Sequence, residues 1–104
     1  MDIEMIIVSG TAIMKPEYRD EALRACLEVT APTKQETGCI AYDFYTAVAD
    51  PNRLHVYEEW ESDTALHAHI EMPHTQNFLG KIGSYLAEPP VIIHHAVRES
   101  GPAL

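Results

Sequence analysis

The chain has 104 residues, enough for one domain with a modest hydrophobic core. Its 16 acidic and 7 basic residues give a formal net charge of -9 at pH 7. Because nucleic acids and anionic membrane surfaces are bound through clustered lysines and arginines, this charge argues against both as partners. A core of this size is only marginally self-sufficient, which favours a homodimer.

The cysteines and the N-terminus indicate a compartment. Cys26 and Cys39 form no CxxC pair, so we expect two free thiols in a reducing environment. The N-terminal MDIE carries no basic segment, which argues against a signal peptide. The longest apolar run, residues 5–14, is shorter than the ~20 residues that span a bilayer. The sequence therefore predicts a cytoplasmic protein.

The first two elements are a strand and a helix. Residues 5–14, MIIVSGTAIM, carry no charge on either alternating face, which predicts a strand in the middle of a sheet. Pro16 favours the start of a helix, and Pro32 predicts that this helix ends or kinks at Ala31. The residues expected on its buried face are Ala22, Leu23, Cys26, Leu27 and Thr30.

The remaining elements complete an α+β pattern. Residues 39–48 and 53–61 are rich in β-branched and aromatic side chains, and the turn-forming residues 49–52 join them as a hairpin. Ser62 is a typical N-cap for a helix that runs to about residue 71, Pro73 begins a further helix, and residues 91–99 form the last strand.

The order β-α-β-β-α-β, with its second helix broken in two, predicts a ferredoxin-like fold with an antiparallel sheet. In this fold the first and third strands are central. We assign residues 1–99 to this domain and residues 100–104 to a flexible C-terminal tail.

The third strand combines an apolar face with a carboxylate. Strand alternation places Leu54, Val56, Glu58 and Trp60 on one face. Burying a carboxylate costs free energy unless it is paired or protonated. Glu58 is therefore either hydrogen-bonded to a structural partner or in contact with a ligand. Trp60 is either a core residue or the flat wall of a site for an aromatic ring.

Periodicity separates the histidines. His69 shares a helical face with Leu66 and Ile70, whereas His67 lies about 200° around the helix and faces solvent. His74 precedes Phe78 by one turn and faces inward with it. His69 and His74 are therefore either satisfied core residues or a pair suited to general base catalysis near neutral pH.

The spacing of the histidines does not favour a metal site. His67 and His69 point in opposite directions on a helix, and the path from His69 to His74 crosses a proline. Adjacent His94 and His95 face opposite sides of a strand. The motifs of nucleotide-binding loops and serine hydrolases are absent from the sequence.

A set of short motifs occurs in order over about residues 4 to 98. They are Gly38-Cys39 with Tyr42, Asp50-Pro51, Glu58-x-Trp60-Glu61-Ser62, Ala65-Leu66, His69 and Pro73-His74. Together these motifs resemble the antibiotic biosynthesis monooxygenase (ABM) family. The resemblance implies a ferredoxin-like domain whose sheets pair into a dimeric α+β barrel, with a pocket between sheet and helices in each subunit.

Within that family, the chain is similar to quinol monooxygenases and to enzymes that oxidise phenols with O2 and without flavin, haem or metal. The resemblance thus implies no cofactor, and a small phenol or quinol and O2 as reaction partners. His69 or His74 would be the base that deprotonates the substrate. The residues expected to contact the substrate are Trp60, Glu58, Tyr42, Phe78 and Ser9.

Other reactions of the family fit less well. Haem-degrading relatives use an Asn, a Trp and a His where Ser9, His69 and about Leu79 stand here, so no haem ligand is in place. Two alternatives stay open: an isomerase of a small carbonyl compound that uses the same pocket, and a non-catalytic dimer that binds a small molecule. Oxygen consumption separates the monooxygenase from both.

Overall fold

The computed structural model describes residues 4–104, and its core is one antiparallel sheet. The strands are β1 (Met5–Ile13), β2 (Cys39–Ala47), β3 (Asp50–Trp60) and β4 (Val91–Val97), in the spatial order β2-β3-β1-β4. The first and third strands are central, as the uncharged first strand predicted. The α+β, ferredoxin-like fold is confirmed.

Three helices cover one face of this sheet: α1 (Arg19–Lys34), α2 (Asp63–Glu71) and α3 (Pro73–Ile82). Short 3-10 turns lie at Pro16–Tyr18 and Gly83–Tyr85. The side chain of Ser62 accepts a hydrogen bond from the Ala65 N–H at 3.1 Å, so the predicted cap of α2 is present. Met72, with φ -64° and ψ 143°, separates α2 from α3.

The pairing register sorts the strand residues into two faces. Residues directly opposite each other in an antiparallel pair share a face, and β1 and β3 pair as Ile6 with Trp60 and Val8 with Glu58. This inner face lies under the helices and contributes to the buried core. The alternate residues, which include Ser9 opposite Tyr57, form the outer face. Within residues 4–104 no helix covers that outer face.

Helix α1 departs from its prediction in length and in phase. It continues through Pro32 to Lys34, so the prediction that the regular helix could end at Ala31 is wrong. Its buried face consists of Ala22, Ala25, Cys26, Val29 and Thr33. Leu27 is 74% exposed, because the face is set by the small residues that let α1 approach α3 and β2, and not by the leucines.

The hairpin and the chain end also differ from expectation. Strand β3 begins at Asp50 and not at Arg53, because Asp50 already pairs with Ala47 of β2. Residues 100–104 carry no regular structure. Residues 1–3, part of the segment that argued against a signal peptide, lie outside the described residues. None of the helices in residues 4–104 is long and apolar enough to cross a membrane.

Candidate functional site

A cavity of about 370 Å³ lies between the inner face of the sheet and helices α2 and α3. Its volume falls within the range of small-molecule sites. Most of its wall is apolar, with Phe44, Val56 and Phe78 among the lining side chains. Such a wall favours an apolar or aromatic ligand, because burial of that surface drives binding.

Gly10 shapes the floor of the cavity. A Cβ atom at this position would lie 2.8 Å from Val56 Cγ1 and 3.3 Å from Ile92 Cγ1, closer than normal packing allows. The absence of a side chain at Gly10 therefore leaves room for Val56 of β3 and Ile92 of β4 to approach β1, and it keeps the cavity floor open. The cavity reaches β4, where Ile92 is still largely exposed.

Three polar side chains converge on one part of the cavity wall: Tyr42, Glu58 and His69. Tyr42 pairs with Glu58 across β2 and β3, and the ring of Tyr42 meets that of His69 edge-on at 5.4 Å. Burial raises the pKa of Tyr42 beyond its usual range, so this phenol stays neutral. The cavity therefore has a polar patch on a mostly apolar wall, which suits a ligand with a polar edge. Further polar residues of the lining are Thr11, Thr75 and His94.

His69 is held rigidly at this patch. Its ring lies 4.6 Å from the Trp60 ring, with an interplanar angle of 32°. Its Nδ1 lies 2.8 Å from Glu36 Oε2 and 3.3 Å from Thr75 Oγ1. Because the Nδ1 side is engaged and His69 lines the cavity, Nε2 is the nitrogen left to meet a ligand.

Neither His94 nor Glu36 was predicted as a site residue from the sequence. His94 lines the cavity from β4. Glu36 lies in the turn between α1 and β2, and its side chain is 5% exposed. One carboxylate oxygen, Oε2, lies 2.8 Å from His69 Nδ1 and 2.7 Å from His74 Nε2. A carboxylate only accepts hydrogen bonds, so an ionised Glu36 requires N–H groups on the facing imidazole nitrogens. The other oxygen, Oε1, is buried without a partner among the described residues.

The backbone explains how a turn residue reaches this position. Gly38 has φ 86°, a conformation that favours glycine, and a Cβ there would lie 2.5 Å from Ala65 Cβ. The α1–β2 connection therefore packs directly against α2. Glu36 is carried beneath His69 by this close contact. The sequence signal was the carboxylate two residues before a glycine at the end of a helix.

His74 takes a different position from His69. It does not line the cavity but borders a small outer cleft together with Glu28 and Lys81. Its side chain is 24% exposed. The structure therefore joins the two histidines through Glu36, with only His69 on the cavity wall.

Glu58 has a structural hydrogen-bond partner, and it also lies where a ligand in the cavity would meet it. Its Oε1 accepts a hydrogen bond from Trp60 Nε1 at 2.9 Å, and its side chain also lines the cavity. Burial raises the pKa of Glu58, while the Trp60 hydrogen bond and His69 oppose this effect and Glu36 adds to it. Burial thus favours the neutral carboxyl group more than it would at a protein surface.

Apart from His74, which borders the outer cleft, the predicted site residues divide into three groups. Tyr42, Glu58, His69 and Phe78 line the cavity. Trp60 is fully buried behind His69 and fixes its ring, so it does not form a wall for the ligand. Ser9 pairs with Tyr57 on the outer face of the sheet, so the structure does not bring it to the cavity.

Glu36, His69 and His74 also offer donor atoms within 4.8 Å of one another, close enough to be considered as metal ligands. The 2.7 and 2.8 Å separations are those of hydrogen bonds. Donors that bind a tetrahedral ion at ~2.1 Å lie roughly 3.4 Å apart. An ion would therefore have to replace both hydrogen bonds, and we describe the three residues as the Glu36–histidine triad.

Comparison with known proteins agrees with the fold. The family model described as antibiotic biosynthesis monooxygenase matches residues 5–81. The protein named "Putative monooxygenase Rv0793" from Mycobacterium tuberculosis is 37% identical over 88 residues, which cover 84% of this chain and 85% of that protein. Its solved structure superposes with a TM-score of 0.88 at 24% identity, covering 94% of this chain and 99% of the other.

A second relative is the uncharacterized protein sll1783 of Synechocystis, 30% identical over 95 residues. The match covers 91% of this chain but 65% of the length of that relative. The family match extends from β1 through nearly all of α3, and so includes Gly10 on the cavity floor, Glu58 and the Glu36–histidine triad. The chain belongs to the antibiotic biosynthesis monooxygenase family.

Proposed function

We propose that the protein is a cofactor-independent monooxygenase that oxidises a small phenol or quinol with O2. The observation that carries this proposal is the position of His69. It is a buried imidazole whose Nδ1 is engaged by Glu36 and whose Nε2 is left for the apolar cavity. Membership of a monooxygenase family supports the reaction class.

The first step is removal of the hydroxyl proton of the substrate by His69 Nε2. An imidazole accepts a proton near neutral pH, and Glu36 stabilises the imidazolium that forms. The resulting phenolate is electron-rich and passes an electron to O2. Combination of the phenoxyl radical with superoxide forms a C–O bond and leaves a peroxide on the ring. The ring hydrogen at that carbon is then lost as a proton, the O–O bond breaks, and the outer oxygen leaves as water with that proton and the one that His69 returns. The phenol and O2 thus give a quinone and one water.

The surrounding residues orient the ring. Phe44 and Phe78, whose ring centroids are 5.6 Å apart, give the cavity aromatic edges against which a flat substrate packs. Tyr42 and Glu58 are hydrogen-bonding groups beside His69. A neutral Glu58 carboxyl donates a hydrogen bond to a substrate oxygen, whereas a neutral Tyr42 both donates and accepts. The substrate oxygen is thereby held next to the base.

Oxygen uptake with a panel of phenols, naphthols and hydroquinones tests the proposal. We expect saturable uptake, incorporation of one atom of 18O2 into the product, and no loss of rate after treatment with EDTA. His69→Gln should lower kcat/KM by about 100-fold or more, the usual contribution of a general base. His67→Gln is the matched control, because His67 is on the same helix with a side chain that is 69% exposed.

Three outcomes would contradict the proposal. Saturable binding without oxygen uptake would favour the non-catalytic binding dimer, and a product of unchanged mass would favour the isomerase. Equal activity of the His69→Gln and His67→Gln variants would show that His69 is not the base. The homodimer expected from the sequence is part of this proposal.

A further inference from the structure

The cavity has a buried end and an exposed end. At the buried end, Tyr42, Glu58 and His69 are each at most 8% exposed. At the exposed end the wall is formed by β4, where Ile92 is 58% exposed and His94 is also exposed. A ligand that enters past β4 therefore places one end in the buried polar patch, and its other end stays beside β4.

The pairing register aligns the two ends of the cavity. Glu58 pairs with Val8 across β3 and β1, and Val8 pairs with His94 across β1 and β4. Tyr42 pairs with Glu58 on the other side. These four residues form one row across the inner face, because residues directly opposite each other share a face. At ~4.8 Å per strand, the backbones of Glu58 and His94 are roughly 10 Å apart.

His94 has hydrogen-bonding capacity that the fold does not use. Within residues 4–104, no hydrogen bond or ion pair engages its ring. Its neighbours in this part of the lining, Pro90 and Ile92, are apolar. A neutral imidazole has one N–H donor and one acceptor nitrogen, so His94 can bind a ligand hydroxyl in either sense. His94 is thus a polar group at the exposed end of a mostly apolar cavity.

We propose that His94 is a specificity-determining residue that selects a flat aromatic substrate with an oxygen atom at each end of its long axis. One oxygen lies beside His69 at the buried end, and the second forms a hydrogen bond with His94. This inference rests on the proposed function and deepens it, because it narrows the substrate from any small phenol to an elongated aromatic diol.

The span of the row sets the length of this diol. Side chains stand roughly perpendicular to a sheet, so the separation of Glu58 and His94 follows the spacing of their strands. Hydrogen bonds of ~2.8 Å at the two ends leave roughly 4 to 10 Å between the ligand oxygens, depending on the direction of each bond. The opposite oxygens of a single ring lie near the lower limit. Those of two fused rings lie nearer the middle, so we expect a two-ring diol to reach both ends.

His94 acts on the choice of substrate and not on the proton transfer. Deprotonation takes place at the buried end, where His69 lies, two strands away from β4. At the exposed end, water competes with the ligand for the hydrogen bond, so the contribution of His94 to affinity is modest. One such bond strengthens binding about two- to tenfold.

A pair of ligands tests this role without turnover. The compounds 2,6-dihydroxynaphthalene and 6-methyl-2-naphthol share one ring system and differ only by a hydroxyl or a methyl at one end. Isothermal titration calorimetry in the absence of O2 gives both dissociation constants. The unmodified protein should bind the diol about five- to twentyfold more tightly, of which about twofold follows from the symmetry of the diol.

Substitution of His94 should remove this preference. His94→Phe keeps a flat ring but no hydrogen-bonding group, and the preference should fall to about twofold or less. His94→Gln keeps a donor and an acceptor and should retain most of the preference. His95→Phe is the matched control, because His95 is also exposed on β4 but lies opposite Ile7 on the outer face. It should leave the preference unaltered.

Three outcomes would overturn the role of His94. They are a preference of about twofold or less in the unmodified protein, a preference that persists in His94→Phe, and failure of both naphthols to bind. Binding of 6-methyl-2-naphthol to each variant shows that the variant is folded, so a lost preference is not a loss of structure.

Oxygen uptake separates this inference from the proposed function. With an active diol, His94→Phe should raise KM more than it lowers kcat, because His94 contributes to binding at the end away from His69. A fall in kcat at constant KM would show a role in the chemistry and would contradict the specificity role. Absence of oxygen uptake with every phenol and quinol of the panel, alongside the expected preference in binding, would overturn the proposed function alone.

Discussion

The two faces of the sheet are built from the same strands but have different surroundings. On the inner face Ile6 and Val8 are buried, and their neighbours across β3 include Trp60 and Glu58. On the outer face Ile7 and Ser9 are only half-buried. Side chains that alternate along one strand are therefore divided between a ligand cavity and a surface that the described helices leave open. A substitution on one face should therefore affect either the cavity or the outer surface, and leave the other unchanged.

The outer face has the composition of a contact surface. Val91 and Ile93 of β4 are 63% and 51% exposed, and β4 pairs with β1 so that Ile93 lies beside Ser9 on this face. Exposed apolar side chains on a sheet favour association with a partner. This supports the proposed homodimer, in which the outer faces of two copies meet.

The largest effect is expected from Ile7→Lys. Ile7 lies on the outer face between Glu59 and His95, so a lysine there remains compatible with the single chain but places a charge in the proposed contact. The dissociation constant of the dimer should rise about 100-fold or more, because a lysine that replaces an apolar side chain must be desolvated in the interface, at a cost on the order of several kcal/mol per ion. Light scattering after size exclusion gives the mass, and circular dichroism checks the fold.

Leu27→Lys serves as the control for this change, since Leu27 is an exposed apolar residue on α1. It should leave the mass unaltered. If the Ile7→Lys variant is still a dimer, the contact lies elsewhere on the protein. If the unmodified protein is a monomer, the proposed homodimer is wrong.

An intermediate effect is expected from Gly10→Val, with the adjacent Ser9→Ala as its counterpart on the other face. The new side chain at Gly10 would collide with Val56 and fill part of the cavity floor. The free energy of unfolding should fall by about 1–3 kcal/mol, and ligand affinity should fall with it. Ser9→Ala should change stability by less than about 0.5 kcal/mol and leave affinity unchanged. Urea unfolding measures the stability of each variant, and ligand titration measures its affinity. Equal effects of Gly10→Val and Ser9→Ala would contradict the assignment of the two residues to opposite faces.

The smallest effect is a change in pH dependence on Glu58→Gln. Because burial raises the pKa of Glu58, the folded protein binds a proton that the unfolded chain releases. The resulting stabilisation is fully present at pH values below the pKa of Glu58 in the unfolded chain. It is lost as the pH rises through the pKa of Glu58 in the folded protein. Glutamine stays uncharged and retains an acceptor for Trp60 Nε1. The loss of stability with rising pH should therefore be smaller in the variant, by on the order of 1 kcal/mol.

Urea unfolding at a series of pH values measures this difference. Glu59→Gln, at the neighbouring position on the outer face, is the control. A pH dependence reduced equally by both variants would show that the effect does not depend on burial at Glu58.

Local periodicity predicted much of the molecule. Strand alternation placed Leu54 and Glu58 on the inner face, and helical periodicity turned His67 outward and His69 inward. It failed for α1, where hydrophobicity favoured Leu27 although the packed face is defined by small residues such as Ala25. Amino-acid type alone does not fix the phase of a helix when its contacts require close approach.

The missing parts of the site depended on long-range geometry. Glu36 lies in a turn, where no periodicity assigns a direction, and it meets residues more than thirty positions away. Ser9 was included because of the family resemblance, and the register between β1 and β3 was needed to show that it faces outward. Trp60 was correctly placed inward, but its distance from the cavity depended on how closely His69 packs over it.

The break at Met72 sets the geometry of the triad before any ligand enters. In one continuous helix His69 and His74 would point about 140° apart around the axis. The extended backbone at Met72 and the proline that follows redirect α3, so that both imidazoles meet one carboxylate. The donor and acceptor distances are therefore fixed by the main chain. A proton that enters the triad would meet little reorganisation energy, because no side chain has to be recruited during the reaction.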